Sequence, residues 1–194
     1  MKKLIIVFIT LATFILAQSF EYVGSASCKM CHNKAEKGAQ FSNWEATVHA
    51  KAFETLKSEK SAKIAKENGI KVEAWEAPEC LKCHTTGFGK GGYEVKGETF
   101  WNPAADDKDG AKAVKRMEGL QAVGCEACHG AGSEYKSSKV KKSIIAGEIK
   151  ASSVGLLKIN EGTCTKCHNE NSPTHKPFKY AERVAEFAHP NPSK

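Results

Sequence analysis

All eight cysteines of this 194-residue chain belong to one repeated pattern, C-x-x-C-H. The four copies are Cys28-Lys29-Met30-Cys31-His32, Cys80-Leu81-Lys82-Cys83-His84, Cys125-Glu126-Ala127-Cys128-His129 and Cys164-Thr165-Lys166-Cys167-His168. On a helical turn, residues i, i+3 and i+4 share one face. Each motif therefore presents two thiols and one imidazole on the same side, and the fold must place four such units.

This spacing is the attachment pattern of c-type haem. The two thiols of a motif form thioethers with one porphyrin, and the imidazole that follows becomes the proximal ligand of the iron. The sequence predicts four c-type haems, held by the eight cysteines. The predicted proximal ligands are His32, His84, His129 and His168.

Three other uses of paired cysteines explain the sequence less well. Zinc ribbons also contain C-x-x-C pairs, but they give no reason for a histidine directly after every second cysteine. Thioredoxin-like redox pairs need a βαβ pattern, which the chain lacks. Disulfides within such short pairs would close tiny loops and stabilise little.

Three histidines remain as predicted distal iron ligands: His49, His175 and His189. His49 borders the apolar face of a predicted helix, His189 ends another, and His175 lies in a polar turn. Eight ligands would be needed to hold four irons from both sides, so at least one iron lacks a second histidine of this chain. That iron is five-coordinate or takes water, Met117, a lysine or a histidine of a neighbouring subunit.

The fold class expected is mostly α, a multihaem cytochrome c fold organised around four covalently bound haems with little β structure. Helices are predicted over about 34–58, 60–67, 111–118 and 177–189, with an extended segment from Tyr93 to Trp101. Residues 1–19 read as a signal peptide and residues 20–194 as one tetrahaem domain. The predicted location is therefore the periplasm or another extracytoplasmic space. The glycines that follow the second and third motifs are expected to allow close approach of the backbone to haem faces.

Removal of the predicted signal peptide, with Lys2 and Lys3, lowers the formal net charge from +7 to 7 − 2 = +5, and a charge of this size suggests surface lysines that steer towards an acidic partner. The lysines are scattered and no recognition motif accompanies them, which excludes a nucleic-acid-binding protein. The one dense cluster is either a docking patch or a solvated face. It consists of Lys136, Lys139, Lys141 and Lys142.

Several stretches resemble the cytochrome c-554 family, tetrahaem electron carriers found with hydroxylamine oxidation in ammonia oxidisers. They are Tyr22-Val23-Gly24-Ser25, Trp44-Glu45-Ala46-Thr47-Val48-His49-Ala50-Lys51-Ala52, the second motif with Thr86-Gly87-Phe88-Gly89 and Gly91-Gly92-Tyr93, Val123-Gly124 with the third motif and Gly130-Ala131-Gly132, and Phe178-Lys179-Tyr180 through His189.

The resemblance implies a mostly helical fold with closely stacked haem pairs, three bis-histidine haems and a five-coordinate haem at the second motif. His49 and His189 match distal ligands of the family. The third distal histidine of the family falls ten residues after His129, where this chain has Lys139. Either His175 has taken over, or Lys139 binds the iron, or a second iron is open.

The function predicted is a periplasmic tetrahaem cytochrome that carries electrons between redox partners. The partners expected are other redox proteins, such as a hydroxylamine oxidoreductase-like multihaem enzyme or a membrane quinone-linked cytochrome, with the chain peripheral to the membrane at most. One alternative is an enzyme that acts on nitric oxide, nitrite or hydroxylamine at an open iron. Another is a subunit of a haem filament that borrows a histidine across an interface.

Overall fold

The computed structural model describes residues 19–189, and this part of the chain is helical and contains no β-strand. The predicted signal peptide lies almost wholly outside the described residues. The α-helices are α1 Ala26–His32, α2 Gln40–Glu45, α3 Ala52–Thr55, α4 Glu59–Glu67, α5 Pro78–His84, α6 Glu98–Trp101, α7 Lys108–Glu118, α8 Cys125–His129, α9 Ser138–Ile145, α10 Glu161–Thr165 and α11 Tyr180–Phe187. Two 3₁₀ turns, Ala35–Lys37 and Ala151–Val154, connect them. No helix in the described part is long and apolar enough to cross a membrane.

The apolar core lies around the second motif. Leu81, inside that motif, is fully buried together with Leu120. The cluster around them consists of Phe53, Leu56, Ala65, Ala74, Tyr93 and Met117. By contrast, α1 and α10 bury no side chain, and α8 buries only Glu126. Three of the four motif helices therefore lack an apolar core of their own.

Two of the predicted helices are confirmed, with ends that their caps explain. Helix α4 matches the predicted segment 60–67 and begins after Ser58, whose hydroxyl accepts a hydrogen bond from the Ser61 N–H at 3.2 Å. Helix α7 begins three residues earlier than predicted because the Asp107 carboxylate accepts from the Gly110 N–H at 2.8 Å. The predicted helix over 177–189 is shorter, since only α11 within it is helical.

The prediction of one helix over 34–58 is wrong. A turn over residues 46–51 separates α2 from α3. Val123 forms hydrogen bonds with α2 and with the turn itself. The Trp44 indole donates to the Val123 carbonyl at 2.9 Å, and the Val123 N–H donates to the His49 carbonyl at 3.1 Å. These long-range bonds override the local helical pattern and place His49 on a turn rather than on a helix face.

The extended segment predicted from Tyr93 to Trp101 is also wrong, because its second half forms α6. The chain before it folds back on itself, with the Tyr93 N–H donating to the Thr86 carbonyl at 2.9 Å. A Cβ atom on Gly92 would lie 2.3 Å from that carbonyl oxygen. This glycine, like Gly130 against the Gly155 carbonyl, allows the chain to approach its own backbone closely.

Candidate haem sites

Each motif forms a helical turn that places its reactive side chains together. Helices α1, α5 and α8 end at the histidine of their motif. In the fourth motif α10 ends earlier, but the Cys167 and His168 N–H groups both donate to the Cys164 carbonyl, which continues the turn. All eight thiols are free and partly buried, as attachment to a prosthetic group requires.

The first and third motifs lie side by side. The thiols of Cys28 and Cys125 hydrogen-bond to each other, which lowers the pKa of Cys125 to about 7 and raises the pKa of Cys28. Ser25 joins the two helices, since its carbonyl accepts from the Cys28 N–H at 2.9 Å and its hydroxyl accepts from the Cys125 N–H at 3.4 Å. The attachment points of these two motifs are therefore adjacent.

The second and fourth motifs form a corresponding pair. Cys83 and Cys167 hydrogen-bond through their thiols, which lowers the pKa of Cys83 to about 7 and raises that of Cys167. The third and fourth motifs are neighbours. Cys128 lies close enough to Cys164 for the charge of Cys164, after burial, to raise the pKa of Cys128. The attachment points thus follow the spatial order first, third, fourth, second.

Two pairs of imidazole rings have the separation that a shared iron requires. The ring centroids of His49 and His168 are 6.1 Å apart, and those of His129 and His189 are 5.8 Å apart. Two nitrogens that each lie about 2.0 Å from a metal place their ring centroids about 6 Å apart. Burial lowers the pKa of His49 and, with His189 and His32 nearby, lowers the pKa of His129 to about 4, which favours the neutral imidazole that binds metal.

The segment that contains α11 covers both histidine pairs. The Phe178 ring stacks on His168 with centroids 4.6 Å apart, and the Phe187 ring lies 4.6 Å from that of His49. His189, two residues beyond α11, lies beside His129 of the third motif. The residues around these two positions therefore fit a haem held between two histidines.

The second-motif histidine has a different environment. Its Nδ1 lies 2.7 Å from the Ala52 carbonyl oxygen, so this nitrogen donates to the backbone and Nε2 remains for iron. Within residues 19–189 the His84 ring is not in contact with another histidine ring. This placement agrees with an iron that has one histidine ligand.

His32 of the first motif also lacks a facing histidine ring in the described part of the chain. Its pKa is lowered by burial first and then by the charge of Lys141, while the Gln40 side chain hydrogen-bonds to it. Lys141 also acts electrostatically on Cys28. This lysine lies on the partly buried face of α9 with Val140 and Ile144.

The residues that the sequence suggested for the missing ligand lie elsewhere. Lys139 is exposed, and His175 lies exposed in a turn in which its N–H donates to the Ser172 carbonyl at 3.0 Å. Met117 is buried in the core, where its sulfur accepts from the Glu94 N–H at 3.3 Å. The sequence showed the lysine cluster but gave no means of choosing Lys141 as the member that turns inward.

Sequence reasoning also missed Glu126, which lies inside the third motif and is 2% exposed. Its carboxylate accepts hydrogen bonds from three backbone N–H groups of Val23, Gly24 and Gly132. The signal available was an acidic residue within a motif whose copies otherwise hold no acid.

The arrangement does not suit zinc. Within residues 19–189, no three side chains of histidine, cysteine, aspartate or glutamate converge on a common point. Structural zinc sites use four such ligands in a tetrahedron. The thiols of different motifs instead lie side by side in two pairs, Cys28 with Cys125 and Cys83 with Cys167. Neighbouring motifs of this kind suit porphyrins that are attached one to each motif.

Comparison with known proteins agrees with this assignment. The family described as "Cytochrome c554 and c-prime" matches residues 27–130, which include the first three motifs. Cytochrome c-554 of Nitrosomonas europaea is 33% identical over 129 residues, which are 65% of this chain and 45% of that protein. The match thus spans less than half the length of this relative.

A solved structure, the reduced state of cytochrome c554 from Nitrosomonas europaea, has the same fold. It superposes with a TM-score of 0.53 at 24% identity, over 87% of this chain and 79% of that one. Members of the family bind c-type haem, and the chain has four motifs that fit it. The chain therefore belongs to the cytochrome c554 and c-prime family and is a multihaem c-type cytochrome.

Proposed function

We propose that this chain is an exported, periplasmic tetrahaem carrier that moves electrons between other redox proteins. The observation that supports it best is the continuous series of attachment points, from the first motif through the third and fourth to the second. The haems supply reversible one-electron chemistry of iron when bound. The chain contributes the spacing, the covalent attachment and the axial histidines.

Each haem would be held by its own motif, with the cysteines as thioether donors and His32, His84, His129 and His168 as proximal ligands. His189 would be the distal ligand opposite His129, and His49 the distal ligand opposite His168. Two histidine ligands give a lower potential than a histidine and a methionine. His175 is not needed for either pair and would remain a surface residue.

The partners we propose are acidic redox proteins, among them a hydroxylamine oxidoreductase-like multihaem enzyme as donor. Without the proposed signal peptide, which holds Lys2 and Lys3, the formal net charge of +7 becomes 7 − 2 = +5. Such a charge accelerates encounter with an acidic partner, and salt screens the effect.

Stopped-flow mixing of the reduced, haem-loaded protein with oxidised candidate cytochromes tests this function. We expect rapid electron exchange with an acidic partner, with a rate that falls as ionic strength rises. Failure to exchange with any candidate would contradict the proposal. Intact mass, measured on the same sample, establishes separately that four haems are attached.

A second function is favoured by one observation, the absence of a histidine ring facing His84 in the described part of the chain. An iron with an open side can bind nitric oxide, nitrite or hydroxylamine. If the chain is a reductase of such compounds, the purified protein will turn over the substrate steadily with a chemical electron donor. Binding without turnover would leave the carrier function alone.

A further inference from the structure

Glu126 is a buried carboxylate that neither haem attachment nor iron ligation uses. Within residues 19–189 it is the one charged side chain that is buried, with 2% of its surface exposed. Taking a carboxylate out of water costs several kcal/mol unless hydrogen bonds compensate it. Its retention inside a motif therefore calls for a reason.

The groups around this carboxylate are all hydrogen-bond donors. Its oxygens accept from the N–H groups of Val23 at 2.9 Å, Gly24 at 2.8 Å and Gly132 at 2.7 Å. None of the ion pairs formed within residues 19–189 includes Glu126. The carboxylate thus accepts from backbone N–H groups and has no ion-pair partner among the described residues.

The position of the charge is specific to one half of the molecule. Glu126 lies between Cys125 and Cys128 of the third motif, and two of its donors lead directly into α1 with the first motif. Its field reaches the surrounding groups: after burial, it raises the pKa of Tyr22 and of Tyr135, and it contributes to the raised pKa of Cys28. No such buried carboxylate lies beside the second or fourth motif in the described residues.

We propose that Glu126 is a potential-setting residue, which lowers the reduction potentials of the first and third haems relative to the second and fourth. Each iron gains one electron from a reduced donor protein, Fe(III) to Fe(II), and passes it to an oxidised acceptor protein. A fixed negative charge in a low-dielectric site disfavours the more negative reduced form. Electrons that enter at the first–third pair would then flow towards the fourth–second pair. This inference rests on haem attachment in the proposed function.

Neighbouring cations act in known directions. Lys141 lies near Cys28 and His32, so the first site does not report on Glu126 alone, and Lys166 acts on both Cys128 and Cys167. Arg183 lies near His168 of the fourth motif, but its guanidinium pairs with Glu186 at 2.8 Å. Because Glu126 lies inside the third motif itself, the third site is its most direct reporter.

The test is a redox titration of haem-loaded protein in which NMR of the haem methyl signals follows each haem separately. In the Glu126→Gln variant we expect the third haem, and to a smaller degree the first, to become easier to reduce. The expected change is at least tenfold in the equilibrium constant for electron exchange with the fourth haem, or about 59 mV. The matched control is Glu161→Gln, which removes an exposed acid three residues before Cys164. It should change the same equilibrium constant less than twofold.

Two further measurements separate the effect of the Glu126 charge on the potentials from its effect on the fold. Glu126→Asp keeps the charge but shortens the side chain. It should therefore lower thermal stability and leave the equilibrium constant for electron exchange between the third and fourth haems within about twofold of the unmodified protein. In the unmodified protein, the third haem should have a lower potential than the fourth, although histidines face each other at both sites. Equal potentials at these two sites, or an equal shift of all four haems in Glu126→Gln, would overturn the inference. Intact mass of each sample distinguishes this result from a failure of haem attachment.

Discussion

The imidazole rings of His49 and His168 lie edge-on with their centroids 6.1 Å apart, although one residue follows the first motif and the other ends the fourth. The turn that carries His49 is fixed by the hydrogen bond from the Val123 N–H to the His49 carbonyl at 3.1 Å. The position of His49, the proposed distal ligand at the fourth motif, is therefore set by a contact with the segment before the third motif.

The His49→Ala variant should convert one low-spin haem to high spin, because the iron bound by His168 loses its second strong-field ligand. Electron paramagnetic resonance of the oxidised protein measures this change. His175→Ala is the control, since that side chain is exposed and should leave the spectrum unchanged. Loss of a low-spin signal in the control but not in His49→Ala would show that His175 is the ligand.

Carbon monoxide should bind to the iron held by His84 in the reduced protein. The His84 ring has its Nδ1 engaged by the Ala52 carbonyl at 2.7 Å and faces no other histidine within residues 19–189. We expect about one carbon monoxide per chain by optical titration, because a five-coordinate iron has a free position. The absence of any binding would show that a further group occupies it.

The Lys141→Ala variant should open a second iron, at the first motif. Lys141 lies near both His32 and Cys28, and a lysine amine that gives up its proton to solvent can serve as an axial ligand. The expected result is a rise in bound carbon monoxide from about one to about two per chain.

Lys139→Ala is the matched control for this change, since its side chain lies on the same helix and is exposed. It should leave the titration unchanged. Two molecules bound already in the unmodified protein would mean that no side chain closes the first site.

The Leu81→Ala variant should lower the free energy of unfolding of the haem-loaded protein by about 2–5 kcal/mol, the range for a leucine removed from a packed core. Leu81 is fully buried, whereas its neighbour Lys82 in the same motif is exposed. Denaturant titration of Leu81→Ala beside Lys82→Ala measures the difference. Similar losses in both variants would indicate damage to the motif rather than to the core.

What the sequence could predict was set by local geometry. The C-x-x-C-H spacing places three side chains on one helical turn wherever it occurs, and the structure has such a turn at every motif. The family and the mostly helical fold are also confirmed, because both were predicted from motifs that are continuous in the sequence. The iron ligands stay predictions, which the variants above test.

The predictions that proved wrong depended on distant contacts. The apolar pattern over 34–58 is helical in its period, but two hydrogen bonds break the helix: Trp44 donates to Val123, and the Val123 N–H donates to the His49 carbonyl. Likewise, no local signal shows that Glu126 meets the N–H groups of Val23 and Gly24, which lie a hundred residues earlier in the chain. Such features follow from the order in which motifs pair in space, which a spacing pattern does not contain.

The placement of residues 178–189 bears on how the protein matures. This segment follows all four motifs, yet its Phe178, Phe187 and His189 rings lie against histidines of both pairs. During synthesis it is the last part of these sites to emerge, so all four motifs exist before the segment that covers them. Closure of the molecule can then serve as the final step of assembly, after each porphyrin is in place.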